Sequence, residues 1–126
     1  MNPIEKKNAD LLGLFNPDGV RLANETVRPI FPDLVDKLAS DIYGYAYRRQ
    51  GIDLKTRHLI TLGIISAMGG CENQLRFQLG AALNLGISIE EVREVFIQVQ
   101  VFAGNARAFN AAAIFKSVTD ELPDSE

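Results

Sequence analysis

The stretch Leu59-Ile60-Thr61-Leu62-Gly63-Ile64-Ile65-Ser66-Ala67-Met68-Gly69-Gly70-Cys71 carries no charge and no proline, and it constrains the fold more than any other part of the chain. Asp53 is a natural cap for a helix running from Leu54 to about Met68. From Leu59 onward such a helix is apolar on almost every side, so it predicts a central, buried element surrounded by other helices. At thirteen residues the stretch falls short of the roughly 20 that a membrane span requires. Gly69-Gly70 then breaks the helix, and the chain either folds back as a hairpin or bends sharply.

The flanking segments repeat the helical period. Cys71 to Leu85 places Leu75, Leu79, Ala82 and Leu83 on one face, with Glu72 and Arg76 as an i, i+4 pair outside, and Gly86 stops it. Ser88 to Ala103 recurs at steps of three and four through Ile89, Val92, Phe96 and Val99. Its opening, Ser88-Ile89-Glu90-Glu91, is a capping box with an acidic first turn. Asn105 to Leu122 carries Phe109, Ala112, Ala113 and Phe115, and Pro32-Asp33 opens an earlier helix through Tyr45 or Ala46. A short helix from Ile4 to Phe15, a turn at Asn16-Pro17-Asp18-Gly19 and a further short helix fill the start. No segment alternates as a strand would. The expectation is an all-α bundle of five to seven helices, with an N-terminal helical arm at 1–31, a helical domain at 32–122 and an acidic tail at 123–126.

Sixteen acidic against thirteen basic residues give a net charge of −3, which argues against a nucleic-acid partner. The first seven residues have no apolar core of a signal peptide, so a soluble cytoplasmic protein is expected, without membrane attachment. One cysteine and one histidine exclude a disulfide framework, a multi-cysteine zinc site and a His-rich metal centre.

Few residues remain that carry chemistry. His58 is the only side chain whose ordinary pKa lies near neutrality and is the proton-transfer candidate. Cys71 follows the glycine break at the start of a helix, where the dipole favours negative charge, so it is a possible redox thiol. Residue 74 is Gln, however, and no Cys-x-x-Cys pair exists. Arg49, Arg57 and Arg76 are the guanidinium groups suited to an anionic substrate. Each is also an ordinary surface salt-bridge residue. Gln74, Gln78, Asn84, Gln98, Gln100, Asn105 and Asn110 either line a polar pocket, satisfy contacts between subunits, or face solvent.

Three stretches extend this reading. They are Gly51-Ile52-Asp53-Leu54-Lys55-Thr56-Arg57-His58-Leu59-Ile60-Thr61-Leu62, then Gln74 to Gly86, then Glu90 to Val95 with Val101-Phe102-Ala103-Gly104. Together they resemble the carboxymuconolactone decarboxylase family, which shares its fold with the AhpD alkylhydroperoxidases, over about Pro32 to Val118. The resemblance implies an AhpD-like helical fold that assembles as a homotrimer or homohexamer. It also implies a cofactor-free lyase, with no metal, that removes CO2 from a small carboxylated lactone or related acid in aromatic catabolism. On that reading His58 moves the proton, Arg49 and Arg76 hold the carboxylate, and Gln74 and Gln78 orient the substrate.

The chain departs from the family where many members carry a His at the position of Gln78 and a Glu at that of His58. Whether His58 and Gln78 meet depends on the bend at Gly69-Gly70. The AhpD peroxidase pair is also broken: Cys71 matches the first cysteine, while Gln74 and Gln78 stand in place of the second cysteine and the histidine. Two other functions stay open, a non-catalytic small-molecule-binding or assembly protein and a thiol antioxidant using Cys71 alone.

Overall fold

The computed structural model describes residues 3–123, so positions 124–126 of the expected acidic tail lie outside the described residues. Seven α-helices, with short π and 3-10 turns and no strand, make up the described residues. The chain divides into two compact units, the first ending at Leu54 and the second beginning at Lys55. Residues 32–54 therefore group with the N-terminal helices. No helix among the described residues is long and apolar enough to cross a membrane.

The first unit contains α1 (Lys6–Phe15), α2 (Gly19–Leu22) and α3 (Pro32–Leu38). Proline at the start of α3 suits a position whose N–H has no intrahelical partner. The helix expected to run on to Tyr45 instead widens into a π turn at Ala39–Tyr43, followed by a 3-10 turn at Ala46–Arg48. Tyr43 and Tyr47 then meet Phe15 edge to face, with ring centroids 5.2 and 4.7 Å away. These rings form the unit's core with Leu12, Val35 and Ala39. Arg28 is buried in the same unit, where Nε donates to Asn24 Oδ1 at 2.8 Å and Nη1 to Asp36 Oδ1 at 3.1 Å.

The second unit holds α4 (Leu54–Met68, from Lys55), α5 (Glu72–Asn84), α6 (Ile89–Ala103) and α7 (Asn105–Asp120). α7 packs against both α5 and α6, and Phe96 meets Phe115 edge to face at 6.0 Å. Leu62, Leu75, Leu79, Ala82, Ile87 and Val92 complete the core. The corner between α5 and α6 is closed by local bonds. Ile87 N–H donates to Ala82 O at 2.9 Å and Gly86 N–H to Leu83 O at 3.1 Å, a Schellman closure with Gly86 at φ 86°. Both halves of the capping box follow, each at 3.1 Å: Glu91 N–H to Ser88 Oγ, and Ser88 N–H to Glu91 Oε1.

One expectation about packing is corrected. α4 is not enclosed: only His58, Leu62 and Ser66 are buried, while Ile60, Ile64 and Met68 are exposed. On α7 the buried stripe is Ala108, Ala111, Phe115 and Val118, and Phe109 with Ala112 and Ala113 faces outward. An alanine-rich helix is apolar in more than one register, so period alone does not choose the face.

The α4–α5 bend depends on Gly69, at φ 70°, in the left-handed region that only glycine enters cheaply. The Arg107 guanidinium also occupies the space a Cβ would need there. Gly69→Ala is therefore expected to lower stability by about 1–3 kcal/mol, read by urea denaturation. An unchanged midpoint would mean that the bend does not need this conformation.

Candidate functional site

The bend sets α4 beside α5 so that His58 reaches the middle of α5. Its Nε2 lies 2.8 Å from the backbone oxygen of Gln78. A carbonyl oxygen only accepts, so Nε2 carries the proton and Nδ1 is the ring's lone-pair nitrogen. His58 is 0% exposed. Burial lowers its pKa, and the bond to the Gln78 carbonyl offsets part of that shift, so the ring is neutral at neutral pH.

Gln78 itself is 8% exposed, and its side-chain Oε1 has no hydrogen-bond partner. Buried amide oxygens are nearly always satisfied, so this one marks a place where the fold leaves an acceptor open.

The other candidates are not gathered around this pair. Gln74 is exposed one turn before Gln78 on α5. Arg76 does not pair with Glu72 as expected; its Nη1 donates to Ser117 Oγ on α7. Arg49 belongs to the first unit, where it is exposed, lies 5.5 Å from the Tyr45 ring centroid and donates from Nη1 to the Tyr45 hydroxyl. Cys71 is half-buried at the start of α5, its Sγ 3.5 Å from Gly69 O. No group of His, Cys, Asp and Glu among the described residues is arranged to hold a metal ion.

The large concavity of the second unit lies elsewhere. A groove of about 760 Å³ runs between α4 and α6, walled by Leu59, Ile60, Ile64, Val95, Val99 and Phe102. Thr56, Glu91, Glu94 and Gln98 supply its polar groups. Of the residues singled out from sequence, Gln98 lines this groove, while His58, Arg49, Arg76, Gln74, Gln78 and Cys71 do not. Ile60, Ile64 and Met68, spaced by four along one side of α4, were the available signal for it.

The chain is similar to known proteins. A protein of the nqo9-nqo10 intergenic region of Paracoccus denitrificans is 31% identical over 108 residues, 85% of this chain and 81% of its own. A 4-carboxymuconolactone decarboxylase of Acinetobacter baylyi is 29% identical over 92 residues, 70% of this chain and 66% of its own. A nitrosuccinic acid decarboxylase of Metarhizium robertsii is 27% identical over 120 residues, 94% of this chain and 80% of its own. The family model of the carboxymuconolactone decarboxylases matches residues 33–117, spanning the end of the first unit, the three helices that carry the His58–Gln78 contact and the groove, and most of α7. With that match covering most of its length, the chain belongs to the carboxymuconolactone decarboxylase family.

Proposed function

We propose that this protein is a cofactor-free carboxy-lyase acting on a small carboxylated acid. The observation that carries the proposal is the open Gln78 acceptor on the residue whose backbone fixes a neutral imidazole. Two relatives in distant organisms are decarboxylases of small acids, which supports the reaction class.

Loss of CO2 leaves an electron pair on the substrate, and a proton must then be moved to it. A histidine that is neutral at neutral pH can relay that proton. Gln78 Oε1 receives a hydrogen bond from the substrate, and Gln74 extends the same side of α5. Arg76, engaged with Ser117, helps fix α5 to α7.

The test offers the protein 4-carboxymuconolactone and nitrosuccinic acid and follows CO2 release. Gln78→Leu keeps the volume and removes the open amide. It is expected to raise stability by about 1 kcal/mol while lowering turnover about tenfold or more. Release from neither acid would sink the reading, and a variant with full turnover would remove Gln78 from it.

The exposed side of α4 supports an assembled state. Ile60 and Ile64 of α4, with Phe102 of α6, form an apolar wall where a solvent-facing helix would carry charges. In this reading a second copy of the chain occupies the groove. Phe102 and Phe109 are large aromatics exposed on the same unit and available to such a contact.

A further inference from the structure

The second unit has another cavity, far smaller than the groove. It lies where α4 ends, α5 begins and α7 passes, and its volume of about 20 Å³ admits one occupant the size of a water molecule or a single ion. Ser66 lines it and is 3% exposed, yet its hydroxyl has no hydrogen-bond partner. A helical serine ordinarily returns its hydroxyl to the carbonyl one turn back. Ser66 does not, and its donor is left to the cavity.

Ile65, Leu75, Ala111 and Ile114 make most of the wall apolar, and the other polar groups on it are few. Arg107 of α7 rests against Gly69 with no ion pair to its guanidinium among the described residues, and Asn110 lies one turn further along α7. α5 is thirteen residues long and starts at this cavity without a side chain capping its first N–H groups. No cap answers the positive end of its dipole, and only Glu72 in the first turn offsets it. Cys71 adds a thiol, and Glu72 is the one carboxylate in the lining. A guanidinium, a helix start and a buried hydroxyl around a space this small suit an anion. The volume excludes phosphate and sulfate, and the Glu72 charge opposes every anion, a monovalent one least.

We propose that this cavity binds a monovalent anion of halide size, held by the Ser66 hydroxyl and the Arg107 guanidinium at the start of α5. The site is separate from His58 and from the groove and does not rest on the decarboxylase reading. Its occupant lies beside Cys71, so binding also shields that thiol.

Bromide is the probe. The thermal midpoint of the whole protein is measured as sodium bromide replaces sodium gluconate at constant ionic strength. A saturable rise is expected, since an ion bound only by the folded state stabilises it. Ser66→Ala and Arg107→Gln should each raise the half-saturating bromide concentration about tenfold or more. Bromide-soaked crystals should show an anomalous peak within hydrogen-bonding distance of Ser66 Oγ. A midpoint that changes without saturation, or identically in wild type and both variants, would overturn the proposal and leave the cavity to water. An empty cavity in the anomalous map would do the same.

Discussion

His58→Ala is expected to destabilise the protein by about 3 kcal/mol, more than any other single substitution considered for this chain. The side chain is fully buried, so its removal leaves a void, and the bond that joins α4 to the Gln78 carbonyl disappears with it. Denaturant unfolding measures the loss.

The pH dependence identifies its origin. Burial holds the pKa of folded His58 below the unfolded value of about 6.5, so below that pH the unfolded chain takes up a proton that the folded chain refuses. This stability is fully present above about pH 6.5. It declines as pH falls toward the folded pKa, with a limiting slope of about 1.4 kcal/mol per unit. With one histidine in the chain, wild type should weaken between pH 7 and 5.5 relative to His58→Ala. Parallel curves for the two proteins would mean that His58 is not held neutral by the fold. A fold this dependent on His58 also makes loss of turnover in His58→Ala ambiguous, which is why Gln78→Leu carries the functional test.

The other large effect is on assembly. Wild type should sediment as a multiple of the 13.9 kDa chain, and Ile64→Glu as a single chain. Ile64 is 56% exposed, so glutamate there does not disturb the chain's own core. In a closed assembly every copy would bring the same charge into an apolar contact. Losing one buried isoleucine costs about 1.5–3 kcal/mol, and the burial of an unpaired carboxylate adds to it. Weakening of a hundredfold or more per contact is expected, read by sedimentation at micromolar concentration. Phe102→Glu, at a position 80% exposed, should act in the same way. A wild type that is monomeric under those conditions would end the assembly reading.

The elements that were legible in the sequence are those whose determinants lie close together along it. α6 begins where Ser88 and Glu91 cap each other, and α5 ends where Gly86 supplies its positive φ. α4 keeps its expected bounds. Its environment was misread because a helix apolar on every side says only that something covers it, not whether that cover comes from the same chain. The π turn at Ala39–Tyr43 leaves no local signal, since packing of Tyr43 and Tyr47 on Phe15 is set over some thirty residues.

The candidate site was legible as residue types and not as geometry. His58 and Gln78 were chosen for their chemistry, and only the bend at Gly69-Gly70 decides that one reaches the other. The Arg76 guanidinium turns to Ser117, forty-one residues away, instead of to Glu72 on its own helix. A surface i, i+4 pair contributes a few tenths of a kcal/mol, which such a contact easily outweighs. The groove was missed because its walls look like core positions until the chain is folded.

The closure between α5 and α6 bears on how the second unit finds its structure. The bonds from Gly86 and Ile87 back to Leu83 and Ala82, and those between Ser88 and Glu91, span five residues or fewer. None needs a distant partner, so the chain can reverse direction there before any core exists. Closing so short a loop costs little entropy, and it brings Leu79 and Ala82 toward Val92 while the rest of the unit is still unfolded. The search that remains is for α7 to settle against both helices and for α4 to join them, a largely local route of the kind that folds within milliseconds.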